Sequence, residues 1–233
     1  MRTAGTDDGP SPRVARAGRL SGLYAVTPDL ADTADLVARV EAALEGGAGA
    51  IQYRNKIADA ALRFRQAEAL ARVTAARGGL FIVNDDATLC AAVGADGVHL
   101  GDDDLPCEAA RALLGPGRVI GVTARNALAI AAAKAAGADY VGVGPVFPST
   151  TKPSTVPVLG LDGLRSLVAS SALPVVAISG IGLSNIASVA ATGVHSAAVA
   201  SDLLLAPDLA AHARSLASAF DSGARLSSVG RHP

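Results

Sequence analysis
The sequence predicts an α/β fold in which eight parallel strands, each followed by a helix, close into one barrel. Three observations carry this. Eight short apolar runs punctuate the chain, and each is continuous instead of alternating, as strands covered on both faces are. A glycine followed by a small or apolar residue precedes every even-numbered run, at Gly47, Gly94, Gly137 and Gly193, while Thr27, Asn84, Thr123 and Ser179 close the odd-numbered ones. The repeat is therefore a pair of βα units used four times, which a barrel of quarter pieces explains better than an open sheet. Size agrees: 233 residues suit a single (β/α)8 TIM barrel.

In chain order the predicted strands are residues 23–27 (LYAVT), 50–54 (AIQYR), 80–84 (LFIVN), 97–100 (GVHL), 119–123 (VIGVT), 140–144 (YVGVG), 175–179 (VVAIS) and 196–200 (SAAVA). Between the first two, Leu36, Val37, Val40, Ala43 and Leu44 recur at three and four residues. That spacing predicts a helix, with Asp32 or Thr33 to cap its start and Gly46-Gly47 its end. Leu62, Ala69, Leu70 and Val73 give the next helix its apolar stripe. A short helix is predicted over 86–93, and Asn126 and Ser184 are N-cap candidates for two later ones. Pro207 suits the first turn of a last helix reaching about Phe220. Residues 1–18 and 222–233 are polar and rich in Gly, Ser and Arg, which predicts an unstructured N-terminal extension and a flexible C-terminal tail around a barrel at 19–221.

Twenty basic residues against 21 acidic ones give a formal charge of −1, without the basic stripe that a nucleic-acid surface needs. No run approaches the roughly 20 apolar residues that span a bilayer, and the first 18 residues lack the apolar centre of a secretory signal. The expected location is the cytoplasm and the expected partners are small anionic molecules, with neither nucleic acid nor membrane. A homo-oligomer is compatible with the sequence, which does not fix the oligomeric state. Cys90 and Cys107 form no CxxC or Cys/His cluster and read as two reduced, partly buried thiols.

In a βα barrel the site is built where strands end and loops follow. After strand 2 come Gln52, Arg54 and Lys56, alternate residues on one face. Arg54 and Lys56 alone would read as the solvated exit of a strand, but Gln52 lies inside the apolar run, where an inward amide needs a partner. Asn84, Asp85 and Asp86 end strand 3, a position that equally suits a helix cap. Asp102, Asp103 and Asp104 follow strand 4, and an acidic run by itself is usually a solvated loop. Two carboxylates from neighbouring loops are nevertheless what magnesium takes, its other positions filled by water and phosphate oxygens.

Loop 6, residues 144–153 (GPVFPSTTKP), concentrates hydroxyls and Lys152, one of only three lysines, between prolines; this composition suits holding an anion. Strands 7 and 8 end in Ser179-Gly180-Ile181-Gly182 and Ala200-Ser201-Asp202, and the loops there are the common phosphate site of such barrels. Of the histidines, His99 on strand 4 reads as a satisfied core residue, and His195, His212 and His232 as peripheral.

The strings IQYRNK, IVNDD, GADGVHLGDDDLP, GADYVGVGPVFPSTTKP, VVAISGI and VAS, in this order over about residues 22–205, together resemble the thiamine-phosphate synthase family, also called thiamine-phosphate pyrophosphorylase. The resemblance implies a transferase. Its substrates would be 4-amino-5-hydroxymethyl-2-methylpyrimidine diphosphate and 4-methyl-5-(2-hydroxyethyl)thiazole phosphate, or the carboxylated thiazole, and its products thiamine phosphate and pyrophosphate. By the same resemblance Gln52, Arg54, Lys56, Asn84 and Lys152 bind the pyrimidine diphosphate, with Thr123 beside the pyrimidine. Asp85 and Asp104 would hold one magnesium ion. Ser149, Thr151, Gly180, Ala200 and Ser201 would hold the thiazole phosphate. Arg54, Lys56, Thr123 and Lys152 would act closest to the reacting atoms, through ionisation of the diphosphate and attack by the thiazole nitrogen.

Such a site is physically coherent, because the charge developing on a leaving diphosphate meets fixed positive charge. It needs no protein nucleophile, and the sequence offers no Ser/His/Asp or Cys/His set. Three positions depart from the family pattern: Thr123 stands where serine is usual, Ser149 where threonine is, and Ser179 where the first glycine of a Gly-Gly pair is. Ser179 could crowd the thiazole phosphate or add a hydrogen bond. Two rival readings are a thiazole tautomerase on the same barrel, which would not need the diphosphate set, and a non-catalytic binder of thiamine phosphates, which has no use for two metal carboxylates.

Overall fold
A computed structural model of the chain describes residues 12–148 and 156–229. Its strands are β1 (Gly22–Val26), β2 (Ala48–Tyr53), β3 (Leu80–Asn84), β4 (Gly97–Leu100), β5 (Val119–Ala124), β6 (Tyr140–Val143), β7 (Val175–Ala177) and β8 (Ser196–Val199). All pair in parallel with their sequence neighbours, and β8 returns to β1 to close the barrel. The helices are α1 (Pro12–Ala17), α2 (Thr33–Glu45), α3 (Ala60–Ala76), α4 (Ala87–Ala92), α5 (Cys107–Leu114), α6 (Ala127–Ala135), α7 (Gly160–Ser170), α8 (Ile186–Ala190), α9 (Ser201–Leu204) and α10 (Leu209–Val229).

The fourfold glycine repeat has a backbone cause. Gly47, Gly94, Gly137 and Gly193 all have positive φ, at 102°, 68°, 86° and 90°. Each turns a helix end into an even-numbered strand through a conformation that costs other residues about 1–2 kcal/mol.

Two apolar shells sit on the two faces of the cylinder. Outside, Leu36, Val40, Leu70, Ile51 and Phe81 belong to the cluster between sheet and helices. Inside, alternate strand positions contribute Tyr24, Val26, Ala50, Leu80, Ile82, Val119, Tyr140, Val176 and Ala198. Large interior rings require absent side chains beside them. A Cβ on Gly121 would lie 2.0 Å from Tyr140 Cζ, and one on Gly142 would lie 2.7 Å from His99 Cε1.

The ends differ from the sequence expectation. Within the segment 1–18 expected to be unstructured, Pro12–Ala17 is helical, because Arg16 donates to Asp96 Oδ1 and to the Gly117 carbonyl, both at 2.9 Å, and so fastens α1 to the barrel. The last helix starts after Pro207, with Asp208 Oδ1 accepting from Ala211 N at 3.0 Å. It runs to Val229 instead of ending near Phe220, so it enters the stretch expected to be a flexible tail.

Two internal details also differ. The buried residues of α3 are Gln66, Ala67, Leu70 and Thr74, so the predicted stripe is rotated. Gln66 is buried without penalty because its Oε1 accepts from Tyr53 and Asn55 and its Nε2 donates to the Leu30 carbonyl. Asn185, not Ser184, caps α8, and its amide braces the loop after β7 by accepting from Gly182 N and donating to the Gly180 carbonyl. Cys90 and Cys107 are buried free thiols. Among the described residues no helix is long and apolar enough to cross a membrane.

Candidate active site
The loops after β2, β3 and β4 enclose a cavity lined by Tyr53, Asn55, Lys56, Arg63, Asn84, Asp85 and Asp104. Loop 2 is fixed from below. Thr27 Oγ1 donates to the Arg54 carbonyl at 2.9 Å and accepts from Arg54 N at 2.8 Å. Asp29 then accepts from Lys56 N at 2.7 Å and from the Arg54 guanidinium at 3.2 and 3.3 Å. Arg54 is thereby held on the rim beside a carboxylate, while the Lys56 ammonium forms an ion pair with Asp85.

Asp85 sits in the left-handed region at φ 65°, and its N–H donates to the His99 carbonyl at 2.7 Å. Asp is among the few residues that tolerate this backbone. Its carboxyl is hydrogen-bonded to that of Asp104, whose Oδ2 also accepts from Gly101 N at 2.7 Å. Burial pushes both carboxyls up. For Asp104 the neighbouring Asp85 adds to that, and its pKa is raised; for Asp85, Lys56 and the Asp104 hydrogen bond prevail, and its pKa is lowered.

Two facing carboxyls, one of them reluctant to ionise, are short of positive charge. The pair therefore fits a hard divalent cation, which takes one or two carboxylates and completes its shell with water and phosphate oxygens. No larger group of metal-ligating side chains occurs among the described residues. The double reading of residues 84–86 is resolved by position: Asp86 caps α4 by accepting from Leu89 N at 2.8 Å, while Asn84 and Asp85 line the cavity. Asp102 pairs with Arg125 and stays outside the lining.

Gln52 and Thr123 are joined through the barrel interior. Gln52 Nε2 donates to Tyr24 OH at 3.0 Å; Tyr24 and Tyr140 hydroxyls are 3.2 Å apart; Tyr140 OH is 3.0 Å from His99 Nδ1; and His99 Nε2 is 3.2 Å from Thr123 Oγ1. Burial lowers the His99 pKa to about 4, against an opposing pull from Asp85, so the ring is neutral.

Loops 6, 7 and 8 meet on the far side of the rim. Phe147 N donates to the Ser179 carbonyl at 3.1 Å, and Val146 N to that of Ile178 at 3.0 Å. Gly180 has φ 67° and is packed so closely that a Cβ there would lie 2.4 Å from the Pro148 carbonyl oxygen. Asp202 ties α9 to loop 7 by accepting from Leu183 N at 3.2 Å, and Ala200 and Ser201 stand at the start of α9. Ser149, Thr151 and Lys152 lie outside the described residues.

The structure thus gathers Lys56, Asn84, Asp85 and Asp104 in one cavity, places Arg54 beside it, connects Gln52 to Thr123, and sets Gly180, Ala200 and Ser201 on adjoining loops. Sequence reasoning missed Asp29, Tyr53, Asn55 and Arg63. Asp29, two residues beyond Thr27 on the same rim, carried a positional signal; Arg63 on α3 carried none.

The family model described as thiamine monophosphate synthase matches residues 23–203. A thiamine-phosphate synthase of Thioalkalivibrio sulfidiphilus is 48% identical over 207 residues, covering 87% of this chain and 97% of that protein. One of Myxococcus xanthus is 58% identical over 146 residues, covering 63% of this chain and 67% of that protein. Among solved structures, a thiamine phosphate pyrophosphorylase from Pyrococcus furiosus has a TM-score of 0.78 and 36% identity, covering 89% of this chain and 98% of that one. With its barrel matched almost end to end in sequence and in shape, the chain belongs to the thiamine-phosphate synthase family and is a transferase of that activity.

Proposed function
We propose that thiamine phosphate is made at this rim by ionisation of the pyrimidine diphosphate, with the roles divided among the three groups of residues above. The observation that carries the division is the shared cavity of Lys56, Asn84, Asp85 and Asp104. Asp85 and Asp104 would hold magnesium, whose charge neutralises that of the departing diphosphate. Lys56 faces the diphosphate from the same cavity, Arg54 from the rim, and Asn84 donates its amide. Lys152, placed by the family resemblance, adds a third cation. Gln52 and Thr123 hold the pyrimidine, and Ser149, Thr151, Gly180, Ala200 and Ser201 hold the thiazole phosphate.

Fixed cations and amides in a site that excludes water stabilise separated charge without reorganising, which favours departure of pyrophosphate over attack by an enzyme group. The cation left on the pyrimidine methylene is stabilised by its amino-substituted ring, and the thiazole nitrogen, held opposite by loops 6 to 8, attacks it. Both substrates are charged phosphates that do not cross a bilayer unaided, in keeping with a cytoplasmic enzyme.

The test is to mix both substrates with magnesium and to look for thiamine phosphate by mass together with pyrophosphate. Release of pyrophosphate from the pyrimidine diphosphate alone, unaffected by the thiazole, would identify a hydrolase instead. Lys152→Ala should lower turnover at least about 100-fold if this lysine meets leaving-group charge.

A further inference from the structure
Tyr53, Asn55 and Arg63 line the cavity but have no part in the division of roles above. The first two are spent on the protein itself. Tyr53 donates its hydroxyl to Gln66 Oε1 at 2.8 Å. Asn55 Nδ2 donates to the Leu30 carbonyl at 2.7 Å and to Gln66 Oε1 at 2.9 Å, and its Oδ1 accepts from Ile57 N and Ala58 N. Arg63 is not spent. Its Nε is buried and has no hydrogen-bond partner among the described residues, and its ion pair with Asp86 Oδ2 is long, at 3.7 Å. Asp86 is itself engaged as the cap of α4. The cations of loop 2 are in the opposite condition, Arg54 lying on Asp29 and Lys56 on Asp85. A buried guanidinium N–H without a partner is costly until a ligand meets it.

The direction of the cavity follows from the strand beneath it. β2 points Gln52 into the barrel, where it meets Tyr24, and turns Tyr53 outward to Gln66 on α3. Arg63 precedes Gln66 on that helix by close to one turn. Val83 and Leu89, which also line the cavity, belong with Tyr53 to the shell between sheet and helices. The cavity therefore leads from the carboxyl pair of Asp85 and Asp104, above the strand ends, outward to α3. A pyrimidine diphosphate whose ring is held by Gln52, and whose phosphates share a magnesium ion with those carboxyls, points its terminal phosphate at Arg63.

We propose that Arg63 binds the terminal phosphate of the pyrimidine diphosphate, its planar fork meeting two phosphate oxygens, and so makes the site choose a diphosphate over a monophosphate. The proposal rests on the reading of this cavity as the diphosphate site and adds to it a cation delivered by a helix instead of a strand end. Arginine suits the position because its charge is permanent and its paired N–H groups match the spacing of phosphate oxygens.

The test is calorimetry with magnesium present, using inorganic pyrophosphate, the pyrimidine diphosphate and the corresponding pyrimidine monophosphate as probes. Arg63→Gln should raise the Kd of the first two at least about 10-fold, the loss of a charge-assisted pair, and that of the monophosphate less than about 2-fold. Arg63→Lys, which keeps the charge without the fork, should fall between Arg63→Gln and the unaltered protein. The KM of the thiazole phosphate should be unchanged in both. Asp86→Asn separates a ligand from a brace: asparagine still caps α4 and the guanidinium loses its competitor, so pyrophosphate should bind as tightly as before or more tightly. Undiminished binding of pyrophosphate to Arg63→Gln, equal losses for diphosphate and monophosphate, or a weakening by Asp86→Asn that matches Arg63→Gln would overturn the proposal. Should Arg63→Gln fail to fold, Arg63→Lys is read in its place, with a loss of at least about 3-fold and the same selectivity required. An unaltered protein that bound neither pyrophosphate nor the pyrimidine diphosphate would sink the diphosphate site as a whole, whereas binding that Arg63→Gln leaves intact would remove Arg63 alone.

Discussion
Ser179 donates its hydroxyl to the Phe147 carbonyl at 3.1 Å, from a backbone held in the left-handed region at φ 84°. Ser179 therefore joins the end of the seventh strand to the root of loop 6. Its hydroxyl bonds the protein's own backbone, at the foot of the loop that carries Ser149 and Thr151.

That geometry separates two substitutions. Ser179→Ala keeps the strained backbone and loses the bond, so it should destabilise by about 1 kcal/mol. Ser179→Gly loses the same bond but relieves about 1 kcal/mol or more of strain, and should fall close to the unaltered protein. Urea denaturation of both variants measures the gap; equal stabilities would mean that the left-handed backbone carries no strain.

His99 sets a pH dependence of stability. Its pKa is lowered from 6.5 to about 4 by burial, with Asp85 acting in the opposite direction. Above pH 6.5 the imidazole is neutral in folded and unfolded chains alike, and the full stability is present. As the pH falls from there toward about 4, the unfolded chain takes up a proton that the folded one refuses, so stability is lost across that window. His99→Gln should flatten the slope of denaturation midpoint against pH between those values. Parallel slopes would assign the acid sensitivity to other groups.

The fold was legible because strand burial on two faces and glycine at helix ends leave marks within a few residues of one another. Rim residues such as Lys56 and Asp85 were legible because strand ends can be counted along the chain. What could not be read depends on closure of the barrel. Tyr24 lies on β1 and Tyr140 on β6, and their hydroxyls meet only because the cylinder brings them across its interior. In a linear reading both are aromatic residues in apolar runs. Ser184 failed as the cap of α8 for a smaller reason: its neighbour Asn185 is an equally good cap residue, and the helix starts one residue later than the sequence suggests, with the Asn185 side chain bonded back to Gly180 and Gly182 in the preceding loop.

The Asp85 and Asp104 pair should trade stability for function. A carboxyl whose pKa is raised in the folded protein disfavours folding once it ionises, so at neutral pH without metal Asp104→Asn should leave the protein as stable or more stable. The same variant should need at least about 10-fold more magnesium for half-maximal activity. Melting in a chelator and a magnesium titration measure the two effects. A variant that melts lower and responds to magnesium as before would remove the pair from the metal site.

Gly121 gives the sharpest packing test of the interior. An added Cβ would meet the Tyr140 ring at 2.0, 2.3 and 2.5 Å from Cζ, Cε1 and Cε2, and the ring is flanked by His99 at a centroid distance of 5.5 Å. The ring must therefore shift against packed neighbours, and Gly121→Ala should cost about 3 kcal/mol, the upper part of the usual range for overpacking. Tyr140→Leu shortens the side chain where the clash occurs. In that background the cost of Gly121→Ala should fall below about 1 kcal/mol, a coupling of the size found between residues in direct contact. Equal costs in both backgrounds would mean that the strand itself, and not the tyrosine ring, is what excludes a side chain at position 121.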